Sequence, residues 1–271
     1  MLIRGIDFSG GRAPGEDIWI AEGHLDGGRL SIGSCRSASD RFGRSGREPI
    51  LRALRELLDG TAGTTGLDFS FGLPAELLPA GVDDWAAAVA WFAETFSDED
   101  PDGMRERLKS AARERPGEGV ELKRRTDRTV GANSPYSFIT YYQTLYGIRD
   151  VLAPLVGSGA VSVPPFDAVG PRNAVEIYPA GTLRRLGTVD TTYKDETGEA
   201  AERRRRIVER LAATTDGLSV DIPASVRETA IDEPGGDALD SLVAAVATAR
   251  AADRGFEPER PFDEREGYIY V

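Results

Sequence analysis

One five-residue phrase occurs twice in this chain and constrains its fold more than any other feature. Residues 5–9 read Gly5-Ile6-Asp7-Phe8-Ser9, and residues 66–70 read Gly66-Leu67-Asp68-Phe69-Ser70. The first copy follows the apolar Met1-Leu2-Ile3, and the second follows Thr64-Thr65. Glycine comes soon after each, at Gly10-Gly11 and at Gly72. A buried strand that ends in aspartate and opens into a glycine turn presents a carboxylate at the rim of a sheet, where backbone can approach a ligand closely. Either aspartate alone would also suit an Asx-turn beside glycine. The recurrence of the whole phrase favours two strand ends that build one site.

The pattern around the phrases predicts alternating strands and helices. Strands are expected at 2–8, 17–25 and 29–35, with Asp26-Gly27-Gly28 as a hairpin signal between the last two. A helix at about 47–59 carries Ile50, Leu51, Leu54, Leu57 and Leu58 at helical spacing and stops at Gly60. The second phrase ends a fourth strand, and Asp83-Asp84 caps a helix through Phe96. Residues 97–135 are charged and weakly periodic, with one short helix around 103–114. Together with a helix at about 138–155 they form an expected insertion at about 97–158 in a single domain, 1–271. Asn173 to Tyr178 reads as a buried strand, followed by helices at about 180–187, 199–214 and 236–253 and a tail, 266–271, that alternates like a short strand.

Composition excludes several classes. The 271 residues are 40% hydrophobic and 29% charged, a globular balance. The longest apolar stretch, Trp85 to Ala93, is too short to span a bilayer. Met1-Leu2-Ile3-Arg4 runs straight into the first phrase and leaves no room for a signal peptide, so a cytoplasmic location is expected. A lone cysteine, Cys35, excludes an internal disulfide, and a lone histidine, His24, argues against a Cys/His zinc site. The net charge is −12 and lysine occurs only at Lys109, Lys123 and Lys194. Such an acidic, lysine-poor surface fits a salt-rich cytoplasm and opposes polyelectrolyte binding to nucleic acid. A nucleic-acid role would therefore need local contacts and metal bridging.

The predicted terminal helix adds two acids. Asp237 and Asp240 share a helical face, and Asp240 lies at the edge of the apolar stripe of Leu239, Leu242, Val243 and Val246. A helix start explains part of this, with Asp237 at the N-cap and Asp240 at the third helical position, both favoured by the dipole. A carboxylate at the buried edge is costly unless paired or bound to a cation, which favours a functional Asp240. Asp7, Asp68 and Asp240, assisted by Asp237, form an oxygen-donor set suited to Mg²⁺ or Mn²⁺. Two such ions about 3.5–4 Å apart support phosphodiester hydrolysis.

The sequence also resembles the family catalogued as domain of unknown function 429. The resemblance rests on both phrases, Gly72-Leu73-Pro74, Lys123-Arg124-Arg125-Thr126-Asp127, Ser134-Pro135 and Tyr146-Gly147-Ile148. It continues through Val175-Glu176-Ile177-Tyr178-Pro179-Ala180, Tyr193-Lys194, Asp240-Ser241-Leu242-Val243-Ala244-Ala245 and Glu266-Gly267-Tyr268-Ile269. Ser241 departs from the family's usual Asp-Ala-Leu, a small residue for a small one. The resemblance implies a ribonuclease H-like α/β fold, a mixed five-stranded sheet flanked by helices, and a metal-dependent nuclease acting on DNA or RNA. An antiparallel meander followed by parallel crossovers is the element order of that fold. Lys123, Arg124 and Lys194 are candidate phosphate contacts, each with an ordinary surface role as the alternative. Glu176 on its buried strand is an acid behind the metal ligands, a further ligand, or an ion-pair partner of Lys123 or Arg124, the last being favoured. Tyr141-Tyr142, Trp85 and Trp91 read as core or helix-face residues, base stacking having no positional support. Two other functions remain open. One is an ATP-binding phosphotransferase using the Asp7-to-Gly11 turn, and the other is a binding module without catalysis.

Overall fold

The computed structural model describes residues 1–115, 119–213 and 217–271. Its N-terminal meander comprises β1 (Leu2–Asp7), β2 (Trp19–Asp26) and β3 (Arg29–Ser37), paired antiparallel in succession. Gly27 and Gly28 make the two-residue turn between β2 and β3, with φ of 51° and 75°. Positive φ at both positions matches the right-handed twist of the flanking strands, which is why Gly-Gly serves here.

β4 (Gly63–Leu67) and β5 (Arg172–Ile177) then add parallel to β1. Two short strands, β6 (Ser219–Asp221) beside β3 and β7 (Ile269–Tyr270) beside β5, complete a sheet ordered β6-β3-β2-β1-β4-β5-β7. The sheet has seven strands, not the expected five. The tail's alternation marks β7. β6 is three residues long at the sheet edge, too short to show a period.

The two phrases lie side by side. Gly5 pairs with Gly66 and Ile6 with Leu67, and the Asp68 N–H donates to the Ile6 carbonyl at 3.0 Å. The first four letters of the phrase each have a structural reason. Ile6, Phe8, Leu67 and Phe69 all enter the core on one sheet face, where the rings of Phe8 and Phe69 sit 4.8 Å apart. Alternation sends Gly5, Gly66 and the two aspartates to the other face.

That other face is covered by the terminal helix, Asp237–Asp253, in which every residue from Ala238 to Ala251 is buried. A β-carbon at Gly5 would lie 2.0 Å from the Ala245 nitrogen, and one at Gly66 would lie 1.9 Å from Thr248 Oγ1. The glycines therefore let the helix lie directly on β1 and β4. With its axis fixed there, its first turn comes to the strand ends that carry Asp7 and Asp68. Asp237 is not the N-cap. Gly236 occupies that position at φ 79°, and the Glu233 carboxylate accepts from the Gly235 and Ala238 N–H groups at 2.5 and 3.1 Å.

The opposite face packs on helices Arg47–Gly60 and Trp85–Thr95, the latter capped by Asp84, which accepts from the Ala87 N–H at 2.8 Å. The segment read as an insertion holds helices Pro101–Arg113 and Arg125–Val130, the second of which periodicity did not predict. It continues as Tyr141–Gly147, a π-helical stretch Ile148–Leu152, and Ala153–Gly157. Met104, Leu108, Leu145, Ile148 and Leu152 join the same core cluster as Phe8 and Phe69. Pro154 accounts for the widened turn: it has no N–H for the Asp150 carbonyl, which accepts from Arg55 Nη1 instead. The predicted helix 199–214 is Gly198–Ala212, residue 214 lying outside the described residues. Among the described residues no helix is long and apolar enough to cross a membrane.

Candidate functional site

Asp7 and Asp68 stand at the carboxyl ends of adjacent parallel strands and line a cleft of ≈ 300 Å³. Asp7 is 7% exposed and Asp68 is half-buried. Among the described residues no hydrogen-bond donor reaches either carboxylate. Burial pushes the Asp7 carboxyl well above the ordinary range; Lys194 pulls it down, while Asp240 and Asp68 raise it further. Asp68 is raised for the same first reason, then by Asp240, with Lys194 opposing. Two desolvated acids without donors are costly for a fold to keep and are ready to receive a cation or share a proton.

The third acid is differently placed. Asp240 is 3% exposed; its Oδ1 accepts from the Tyr193 hydroxyl at 2.8 Å and its Oδ2 from Lys194 Nζ at 2.6 Å. Lys194 Nζ also lies 3.5 Å from Asp237 Oδ1. Burial alone would lower the Lys194 pKa, but Asp240 and then Asp7 more than reverse it, so this lysine stays charged. Tyr193 is held protonated by burial and by Asp240. Both side chains enter from the loop after helix Pro179–Arg185, just past Thr192, whose φ of 62° is uncommon for a β-branched residue.

The remaining candidates separate into groups. Arg124 is 1% exposed and enclosed by acids: Nη2 donates to Asp127 Oδ1 at 2.7 Å and to Glu176 Oε1 at 2.5 Å, and Nη1 to Glu176 Oε2 at 2.7 Å. Its fork is satisfied within the protein, so it forms part of the cleft wall without a free donor for phosphate. Burial raises the Glu176 carboxyl, Arg124 lowers it again, and Glu176 Oε2 also accepts from the Phe71 N–H at 2.9 Å. That bond ties the loop after Asp68 to β5. Lys123 donates to the Ala132 carbonyl at 2.7 Å, on a residue of the cleft wall.

Sequence reasoning missed three polar groups of the cleft. Asp17 ends a four-residue helix, Pro14–Asp17, and lines the cleft from the turn after the first phrase. The sequence pattern places it at the start of the strand expected at 17–25; Pro14-Gly15 ahead of it is the helix-start signal. Gln143 donates to the Asp68 carbonyl at 3.2 Å, and Asn133 lies on the same wall. Neither had a sequence signal, because both arrive through the packing of the 97–158 segment.

The donor chemistry suits a hard divalent ion at Asp7 and Asp68. Mg²⁺ is commonly held by one or two carboxylates with water and substrate phosphate completing the shell. Among the described residues no three His, Cys, Asp or Glu side chains converge as a metal-holding group. Asp240, expected as the third ligand, is paired with Lys194 at 2.6 Å. The set thus fits as two carboxylates with a neighbouring ammonium.

A family model described as "Protein of unknown function (DUF429)" matches residues 166–265. That stretch holds Glu176, Lys194, Asp237 and Asp240 but neither phrase. No curated protein and no solved structure matches the chain. Over residues 166–265, which carry β5 and the terminal helix laid across the two phrases, the chain is similar to that family of unknown function.

Proposed function

We propose that the chain is a metal-dependent phosphodiesterase acting on nucleic acid, built on a ribonuclease H-like sheet. The observation that carries the reading is the pair Asp7 and Asp68, in register at two parallel strand ends, the first buried and the second half-buried, without donors, and open to a polar cleft. The central order β3-β2-β1-β4-β5, with β2 alone antiparallel to its neighbours, supports the fold reading.

Asp7 and Asp68 would hold Mg²⁺ or Mn²⁺, which when bound polarises a phosphoryl oxygen and lowers the pKa of water. Asp240 and Tyr193 fix the Lys194 ammonium beside the cleft, where it can meet phosphate charge. Asp237 lies 3.5 Å from the same ammonium. Glu176 and Arg124 anchor the Phe71 backbone and so restrain the loop that carries Asp68.

The turn after Asp7 gives little support to an ATP-binding role. Gly10 packs so closely on the Tyr142–Gln143 backbone that a β-carbon there would lie 2.4 Å from the Tyr142 carbonyl carbon, and Arg47 takes the Gly10 and Gly11 carbonyls. That glycine seats a helix rather than a phosphate. Incubation of the purified chain with labelled DNA and RNA in Mn²⁺ or Mg²⁺ tests the proposal. Cleavage is expected with wild type and at least about 10²-fold less with Asp7→Asn. Equal cleavage by the variant would reject the site.

A further inference from the structure

The wall of the cleft opposite the terminal helix carries the densest exposed apolar group of the described surface. Phe138 is 75% exposed, Ile139 73% and Tyr142 36%, three large hydrophobic side chains within five residues. Ile139 lines the cleft itself, and the Tyr142 backbone packs on Gly10, the residue after the first phrase, so this group is continuous with the Asp7 site. The rings form a file: Phe138 to Tyr141 at 6.3 Å, Tyr141 to Tyr142 at 4.6 Å, and Tyr142 to Tyr146 at 6.4 Å. A fold would gain by burying Phe138, and leaving it in water beside a polar cleft points to a ligand that covers it.

Arg105 lies over the file, 5.9 Å from the Phe138 ring and 5.4 Å from that of Tyr141, but pairs with Glu121; two further cations stand at the Tyr146 end of the file and at the cleft wall. Arg47 lies 4.0 Å from the centre of the Tyr146 ring, and its hydrogen bonds go to the neutral carbonyls of Gly10 and Gly11. Lys123 donates to the Ala132 carbonyl. Among the described residues neither pairs with a carboxylate, so both keep their charge for an anionic backbone. Aromatic faces with interspersed cations are the chemistry that binds unpaired bases on a phosphate chain. A duplex hides its base faces and relies on counterion release, which a chain of net charge −12 opposes. The cleft volume of ≈ 300 Å³ is that of a small-ligand pocket, room for a phosphate and sugar.

Resting on the phosphodiesterase reading, we propose that the substrate is single-stranded nucleic acid, its bases stacked on Phe138 and Tyr142 while its backbone passes Arg47 and Lys123 into the Asp7–Asp68 cleft. Fluorescence anisotropy with a labelled single-stranded oligonucleotide of about twenty nucleotides, and its duplex, tests this with Ca²⁺ replacing Mg²⁺ to suppress turnover. The single strand should bind more tightly than the duplex. Phe138→Ala and Tyr142→Ala, both at exposed positions, should each weaken it by about fivefold or more with Tm unchanged. With Mg²⁺ and saturating single strand, Phe138→Ala and Tyr142→Ala should regain most of the wild-type cleavage while Asp7→Asn should not cut at any concentration, which separates the stacking surface from the chemistry. Unchanged affinity in both aromatic variants overturns the proposal, whatever Asp7→Asn does. Equal binding of the duplex overturns it too, as does a wild-type dimer in sedimentation that Phe138→Ala dissociates, since the patch would then be an interface between copies.

Discussion

At the residue scale, Asp7 exposes a conflict between stability and use. Its carboxyl is buried beside Asp68 and Asp240, and only Lys194 opposes the resulting rise in pKa. A group whose folded pKa lies above its unfolded value stabilises the fold fully below the unfolded pKa. That contribution is lost as pH rises through the folded value. At neutral pH the raised folded pKa therefore works against the fold, and Asp7→Asn should raise Tm by about 2 °C or more. The gain should shrink toward zero as pH falls below the ordinary carboxylate range, where the wild-type acid is protonated as well. Mg²⁺ should raise Tm of the wild type and leave the variant nearly unmoved, because binding to the native state adds stability only where ligands exist. Thermal melts across pH, with and without Mg²⁺, check all three. A variant less stable than wild type at pH 7 would mean that the lysine dominates the carboxylates.

At the scale of elements, the site is made by how closely one helix lies on two strands. Gly5 and Gly66 are the seats, and the clearances rank them. At Gly5 a methyl group would meet the backbone of Ala245 and Ser241, which cannot step aside. At Gly66 the nearest atoms are the side chains of Thr248 and Ile177. Gly5→Ala should therefore cost about 3 kcal/mol or more, and Gly66→Ala somewhat less, within the range of overpacked cores. Thr248→Ala should restore part of the Gly66→Ala loss and none of the Gly5→Ala loss. Denaturant melts of the single and double variants measure this coupling. The same geometry explains what could be read in advance. The repeated phrase exposed the two strand ends because strands write their pairing faces into a period of two, and the terminal helix was visible from its small, apolar sequence. Whether Asp240 faced a metal or a lysine was not legible. Its partners Tyr193 and Lys194 lie 47 and 46 positions before it, on a loop without periodicity. Arg124 was open to two readings for the same reason, since its role depends on Glu176, a contact made 52 positions away.

For the whole molecule, charge and assembly point in one direction. The chain carries 45 acidic and 33 basic residues, so the folded state gathers an excess of like charge into a small volume. Many individual ions are paired, as in Arg52–Glu48 and Arg203–Glu199, but exposed pairs of this kind contribute little each. Salt screens both effects. The pairs are short-range and individually weak, whereas the net repulsion is summed over the surface and opposes compaction. Near 1 M salt the Debye length is about 3 Å, which removes most of the long-range repulsion and leaves the buried Arg124 cluster nearly untouched. Tm should therefore rise between low salt and about 1 M KCl. KCl is the appropriate salt because sulfate would also strengthen apolar burial and confuse the comparison. If Tm falls instead, the surface pairs outweigh the repulsion and the acidic excess is not what sets this protein's preferred ionic strength. A rise would place the stacking surface in its physical context. In concentrated salt, affinity based on counterion release fades, and contacts between bases and exposed rings such as Phe138 are among those that persist.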